Sequence, residues 1–386
     1  MKMRILILSW LSSLLLMERV SAQDFQYSQP FAIPMYMNPA FTGNGIVDCK
    51  DIRNWNRIEN IKASFQSRTQ WNNGYSGQLG AIEYSWGRLG KMISKTGPSK
   101  GYDRTYIWSF GLQLHNDQIR KISLNQHYLA FSTSVDVPID NKLSGATLKF
   151  GYQVGVLNRV IKKDNFDFAD EFNGAGFDYN TTSELPNVGG SKLAVDIGSV
   201  GALFGTKHFF IGAAVHHLSE PNQSLWEGND LLRKRYSIHG SYIFTEKSSN
   251  FKRTFFPGKN RLFLVSTFKK QGSKTQWDGA AFWEYKPLGR GKGLFQLGAL
   301  YRGIPIQKSP DNFVQNDALV ISLGYRFKQF NLTLSKDFPV SRSMVFGSAL
   351  EISLSFQNVS ERCLGKGGAP KRMVSCPGGS SFPWMN

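Results

Sequence analysis

Thr147-Leu148-Lys149-Phe150-Gly151-Tyr152-Gln153-Val154-Gly155-Val156 alternates between two chemistries. Successive side chains of a strand project to opposite faces, so Leu148, Phe150, Tyr152, Val154 and Val156 point one way and Lys149, Gly151, Gln153 and Gly155 the other. Residues 319–327 repeat the design, with Leu319, Ile321, Leu323, Tyr325 and Phe327 set against Val320, Ser322, Gly324 and Arg326. Residues 350–356 do so again, with Leu350, Ile352, Leu354 and Phe356 against Glu351, Ser353 and Ser355. A soluble sandwich or propeller also alternates. Aliphatics and aromatics on one face, with Gly and polar groups on the other, suit a strand with lipid outside and water or packed polar groups inside.

Comparable segments lie near 60–68, 77–87, 104–115, 123–135, 143–156, 194–204, 207–217, 235–245, 260–270, 277–286, 293–302, 316–327, 329–336 and 347–356. Most are close to the ~9–11 residues of a tilted membrane strand. The expected fold is all-β, a transmembrane antiparallel barrel of about fourteen strands. An even count puts both chain ends on one side, the periplasm for an outer-membrane barrel. The longest gap, 157–193, follows the fifth segment, as an extracellular loop should, and short gaps near Gly205-Thr206 and Lys328 follow even ones. Residues 88–103 and 246–259 are long for periplasmic turns. Trp86, Trp108, Tyr236, Trp277 and Tyr301 sit near segment ends, as interfacial girdles require.

Composition agrees. The chain has 386 residues, 41% hydrophobic, with 29 Phe, 14 Tyr and 9 Trp, too apolar for a disordered chain, and its 3 Cys are too few for a disulfide-built scaffold. After the first residues no stretch approaches the ~20 apolar residues of a spanning helix. Lys2 and Arg4 precede an apolar run from Ile5 to Leu16, and Val20-Ser21-Ala22 supplies small residues before Gln23, the pattern of a cleavable secretory leader over 1–22. Removing it takes Lys2, Arg4, Arg19 and Glu18 and lowers the formal charge from +18 by two, to +16. In an exported chain such charge suits anionic lipid or an acidic partner rather than nucleic acid.

The expected organisation is a periplasmic or lumenal N-terminal segment over 23–59, a barrel over 60–356 and a periplasmic tail over 357–386. Within the first, Pro30, Pro34 and Pro39 remove amide donors and bias Gln29, Ile33 and Asn38 away from helix, while Gly43 and Gly45 allow tight turns. That describes an extended, kinked strap, lying in the lumen where its aromatics plug the channel or along the periplasmic rim.

Catalytic and metal chemistry finds little support. Asn38-Pro39-Ala40 is the aquaporin tripeptide, without the second copy and spanning helices that architecture needs. His217-Leu218-Ser219 has the His-x-Ser order of a lipolytic pair of the outer-membrane phospholipase kind, but Glu220-Pro221 follows and a strand-end turn explains it. Asp164, Asp167, Asp170, Glu171 and Asp178 provide carboxylates for calcium without the EF-hand order. His208, His216, His217 and His239 lack metal-ligand spacing, and Gly289-Arg290-Gly291-Lys292-Gly293 lacks the strand and helix of a phosphate cradle. No catalytic residue, metal or cofactor is expected. Cys363 and Cys376 suit a bridge in an oxidising compartment, closing a 13-residue separation and worth about 3 kcal/mol by loop entropy, though Cys49 pairing with either is equally open.

The opening Gln23-Asp24-Phe25-Gln26-Tyr27-Ser28-Gln29-Pro30-Phe31, followed by Pro34-Met35-Tyr36-Met37-Asn38-Pro39-Ala40-Phe41-Thr42-Gly43, resembles the start of the PorP/SprF family of type IX secretion outer-membrane proteins. Arg68-Thr69-Gln70-Trp71, His216-His217-Leu218-Ser219-Glu220-Pro221-Asn222, Tyr236-Ser237-Ile238-His239-Gly240-Ser241-Tyr242 and Gly347-Ser348-Ala349-Leu350-Glu351-Ile352 resemble it in the same order. The resemblance implies an outer-membrane barrel taking part in type IX export, with other secretion components, including periplasmic lipoproteins, as partners. Lys371-Arg372-Met373-Val374-Ser375-Cys376-Pro377 and Phe382 are similar to the tail of the SprF-like branch, which implies secretion of a large gliding adhesin; the closing 378–386 is longer than that branch suggests. Phe25, Tyr27, Tyr36, Asn38, Pro39, Phe41, Lys371, Arg372 and Phe382 are the expected partner contacts, on segments expected outside the barrel wall on the periplasmic side. The rival readings are a passive porin or hydrophobic-substrate transporter, with an open lumen, and a lipolytic enzyme relying on Ser219.

Overall fold

The computed structural model describes residues 27–43, 57–70, 74–88, 107–120, 123–139, 146–161, 190–206, 209–225, 228–245, 258–272, 274–287, 293–303, 318–327, 329–340 and 348–357. Fourteen strands make up most of them. They are β1 (Arg57–Gln70), β2 (Tyr75–Arg88), β3 (Ile107–Ile119), β4 (Leu124–Pro138), β5 (Thr147–Ile161), β6 (Gly190–Gly205), β7 (Phe209–His216), β8 (Arg235–Thr245), β9 (Gly258–Gln271), β10 (Lys274–Pro287), β11 (Leu294–Gly303), β12 (Ala318–Phe327), β13 (Phe330–Pro339) and β14 (Ala349–Gln357). Each pairs antiparallel with its neighbour in the chain, and β14 returns to β1 to close the barrel. Every segment expected from the alternation is one strand, with ends displaced by a few residues; β1 begins at Arg57 and β14 ends at Gln357.

Closure matters because a sheet in hydrocarbon has no water to satisfy an open edge. At the closing seam the register runs from Lys62↔Gln357 to Gln70↔Ala349. One ladder is irregular: the β5–β6 register shifts between Gln153 and Gly155, opposite Ser199 and Asp196.

The wall is apolar outside and largely polar inside, apart from inward apolar patches such as the one around Leu203, Phe210, Phe263 and Phe282. Leu323 and Ile82 are each 59% exposed, whereas Glu83, Glu351 and Thr333 are fully buried. Phe150 and Tyr152 face out while Lys149 and Gln153 are buried, as the alternation predicts. Trp86 and Trp108, opposed on β2 and β3, lie outward towards the end that carries both chain termini. Tyr236 and Trp277 are exposed near the other end, so two aromatic belts flank the band. Among the described residues no helix is long and apolar enough to cross a membrane.

Connection length does not separate the two ends as expected. Residues 89–106 and 246–257 follow the even strands β2 and β8, whereas only 272–273 follow the odd β9. Strand register is set by the two-faced pattern rather than by turns, so the long connections leave the ladder intact.

Candidate functional site

The lumen holds the chain's own Tyr27–Gly43. Pro34 and Pro39 each start a one-turn 3-10 helix, Pro34–Tyr36 and Pro39–Phe41, because a fixed φ and a missing amide suit a helix's first position. Asn38 caps the second, its Oδ1 accepting the Ala40 amide at 2.8 Å. The Asn38 amide group then reaches the wall, donating to the carbonyls of Ala202 on β6 (3.2 Å) and Ala213 on β7 (3.1 Å) and meeting His239 Nε2 at 3.2 Å.

A buried charge cluster holds the start of this segment. Glu351 accepts the amides of Ser28 and Gln29, each at 2.7 Å, and also the Gln66 amide group at 2.6 Å. Arg68 pairs with Asp337 at 2.8 Å and Glu351 at 3.2 Å, and donates to the Ser28 hydroxyl. The Ser28 hydroxyl in turn donates to Asp337 at 2.6 Å. Arg302 donates to the Tyr27 carbonyl at 3.1 Å, and Ser353 to the Gln29 side-chain oxygen at 2.6 Å. Buried ions are costly unless their remaining donors and acceptors find partners, and here the lumenal segment supplies several of them. Burial also raises the Tyr27 phenol well above the usual tyrosine range, so it stays neutral.

The middle and far end are bonded as closely. Arg235 donates to the Tyr36 carbonyl at 3.0 Å, and His216 Nε2 lies 2.9 Å from the Met37 carbonyl. The Thr42 carbonyl accepts from Ser134 (2.8 Å) and Lys149 (3.2 Å), and the Gly43 amide donates to Glu83 (2.7 Å), itself paired with Lys62 at 2.9 Å. Gly43 has φ +68, and a Cβ there would stand 2.2 Å from the hydroxyls of Ser85 and Ser109. Gly151 and Gly201 on the wall make room in the same way: a Cβ would lie 2.2 Å from the Ala40 nitrogen and 1.9 Å from Asn38 Oδ1.

Apolar contacts complete the seat. Phe31, Met37, Ala40 and Phe41 pack with Leu203, Phe210, Ile243, Phe263, Val265 and Phe282, while Tyr27, Ile33 and Met35 pack with Leu79 and Ala81. The segment thus touches the wall nearly all the way round, making it a plug.

Towards the opposite mouth, 217–225 and 228–234 form a second filler. Leu232 packs on Tyr128, Ala130, Leu157 and Ala194, and Arg159 pairs with Asp230 at 2.9 Å. His217 lies here with positive φ, its Nδ1 2.8 Å from Asp196 Oδ2. Ser219 donates its hydroxyl to Asp196 Oδ1 (3.4 Å) and accepts from the Ile197 amide (3.1 Å), so its proton is directed at the carboxylate and not at the His217 imidazole of a lipolytic pair.

The site residues read from the sequence divide accordingly. Tyr27, Tyr36, Asn38, Pro39 and Phe41 come together, but inside the barrel and not outside its wall; Asn38 and Phe41 are fully buried. Of the two placements the sequence left open for this segment, lumen or periplasmic rim, the structure takes the lumen, where the inward charges supply partners for backbone groups that a rim position would leave to water. Buried as they are, these side chains offer no surface to a protein docking from outside. Phe25, Cys49, Cys363, Lys371, Arg372, Cys376, Phe382 and the loop carboxylates lie outside the described residues. The wall residues that bind the plug, Glu83, Lys149, Arg235, Arg302 and Asp337, were not singled out. Their signal is a charge at an inward position of an alternating strand. Among the described residues no cluster could hold a metal ion.

The closed apolar-faced wall and the segment seated in its lumen define a plugged outer-membrane β-barrel. The sequence profile described as type IX secretion system membrane protein PorP/SprF matches residues 19–356. The chain belongs to that family, and is therefore an outer-membrane component of type IX secretion that works among other secretion components. No curated protein matches it. Solved barrels similar in structure include a Pseudomonas aeruginosa FadL homologue (11% identity, 83% of this chain and 98% of that one, TM-score 0.40) and Omp33 of Acinetobacter baumannii (7%, 77% and 97%, 0.35).

Proposed function

We propose that this barrel is a non-conducting accessory of type IX export, assisting secretion or surface attachment of a large adhesin of the gliding-motility type. The observation that carries the reading is the plug. Fixing it in place means burying Arg68, Asp337, Glu351, Glu83 and Lys62, which is costly unless every member is bonded. A passive, open porin has no use for such a seal, whereas a platform for partners benefits from a rigid, closed wall; barrel transporters also carry lumenal plugs, and the secretome separates that reading from this one. On this reading a cleaved leader over 1–22 delivers the chain, and the tail, with Lys371, Arg372 and Phe382, contacts periplasmic lipoproteins or cargo. No step requires catalysis, a metal or a cofactor.

The test is deletion of the gene, with complementation by the intact protein, followed by mass spectrometry of surface and medium proteins. Selective intracellular retention of one large adhesin supports a cargo-specific accessory. General failure of type IX export points instead to a core component. An unchanged secretome overturns the export role and favours the porin.

A further inference from the structure

We infer that Lys336 and the apolar groove beside it form a lipid site on the outer wall, taking the phosphate of an anionic headgroup in the extracellular leaflet together with one of its chains. Lys336 lies on β13 between buried Ser335 and Asp337, so it faces out with Leu334 and Phe338, which are 44% and 42% exposed. Its partners across the neighbouring strands are Ile321 on β12 and Leu350 on β14, both exposed and apolar. Further along the same face Phe338 and Val340 carry the apolar band to the strand end and past it. The charge therefore stands within the band and not at its border.

Among the wall residues whose side chains are described, only Lys270 and Lys336 place a Lys, Arg, Asp or Glu outward. Lys270 is one residue from the end of β9, at the rim. Lys336 has apolar neighbours on every side, and the residues opposite it offer no carboxylate. A cation on the lipid face is costly, and is retained where its ammonium reaches a polar partner at the interface. The side chain is turned that way. Its Nζ sits over the Phe338 ring, 5.5 Å from the centroid, and Phe338 is two residues nearer the end of β13 that points away from the chain termini. The layer around a barrel at that level is lipid headgroups, and the phosphate is the group there that complements an ammonium.

An independent observation lies directly below. A groove of about 410 Å³ opens on the same outer face. Leu334, the outward residue before Lys336, and Leu323, opposite it on β12, form the edge nearest the lysine. Leu297, Tyr325 and Leu332 continue the groove towards the end that carries the termini. A cation above an apolar groove matches a molecule with an anionic head and a hydrocarbon chain. A small soluble anion would use the first and leave the second, and a neutral lipid the reverse.

The experiment is native mass spectrometry of the full-length protein released from micelles that hold lipid A and its dephosphorylated form in equal amounts. The expected result is retention of the phosphorylated form about fivefold over the other, a preference lost in Lys336→Met and kept in Lys336→Arg. Both variants leave the ladder and the inner face untouched, so both should assemble. Leu332→Trp, which fills the groove, should lower retention of the two forms alike and leave the preference in place. Equal retention of both forms by the parent protein, or a preference that survives Lys336→Met, overturns the phosphate assignment. Unchanged retention in Leu332→Trp overturns the chain seat. Carbodiimide treatment of intact outer membranes tests the other occupant: coupling of Lys336 to a carboxylate of another protein, or of a second copy, overturns the lipid reading in favour of a protein contact.

Discussion

Arg68 and Glu351 face each other across the seam where the last strand closes on the first, and the carboxylate of Glu351 also holds the amides of Ser28 and Gln29. Barrel closure and plug retention therefore share one charge cluster.

Glu351→Ala should accordingly do two things. It leaves Arg68 short of a buried partner, at a cost of about 3–5 kcal/mol, and it releases the plug's first amides. Loss of heat-modifiable mobility at a lower temperature, measured by gel shift of the purified protein, checks the first effect. Unchanged mobility would mean that the seam does not depend on this pair.

Wall glycines give a way to expel the plug without touching charge. Gly151→Leu drives a side chain into the backbone at Pro39 and Ala40, and Gly201→Val drives one into the Asn38 side chain. Both variants should fold, since the ladder is untouched, yet expose residues 27–43 to protease. A cleavage pattern like that of the parent protein would contradict the close approach.

Asn38 serves local and distant structure at once. Asn38→Ala removes the cap on Ala40 and the donors to Ala202 and Ala213, at a cost of about 1–3 kcal/mol. Asn38→Asp should be worse, because a carboxylate would meet two carbonyl oxygens. Denaturation midpoints of the two variants provide the comparison.

The lipid band makes its own prediction. Leu323 is exposed near the middle of β12, so Leu323→Arg should cost about 2–4 kcal/mol in bilayer folding titrations, with a much smaller effect at a strand end. Equal costs at both places would argue against the orientation.

Much of the wall is legible in the sequence because strand alternation is local. Leu350, Ile352 and Leu354 declare one face, and Glu351 and Ser353 the other, with no need to know what they meet. The cap of Asn38 on Ala40 is local too, and the prolines forecast a kinked strap. Its destination is another matter. Ser28 and Glu351 are separated by most of the chain, and nothing near either residue reveals that an amide will meet that carboxylate. The wall charges were visible as exceptions to the polar but uncharged inner face; their shared purpose depends on register between strands far apart in sequence. The same holds for the His217-Leu218-Ser219 segment, whose chemistry is decided by Asp196 on another strand.

Single-channel recording in planar bilayers shows whether the chain seals its own barrel. The intact protein should show no stable conductance, while a variant lacking residues 27–43 should open steady channels. Steady conductance from the intact protein, unaltered by that deletion, would contradict the account and return the barrel to the porins.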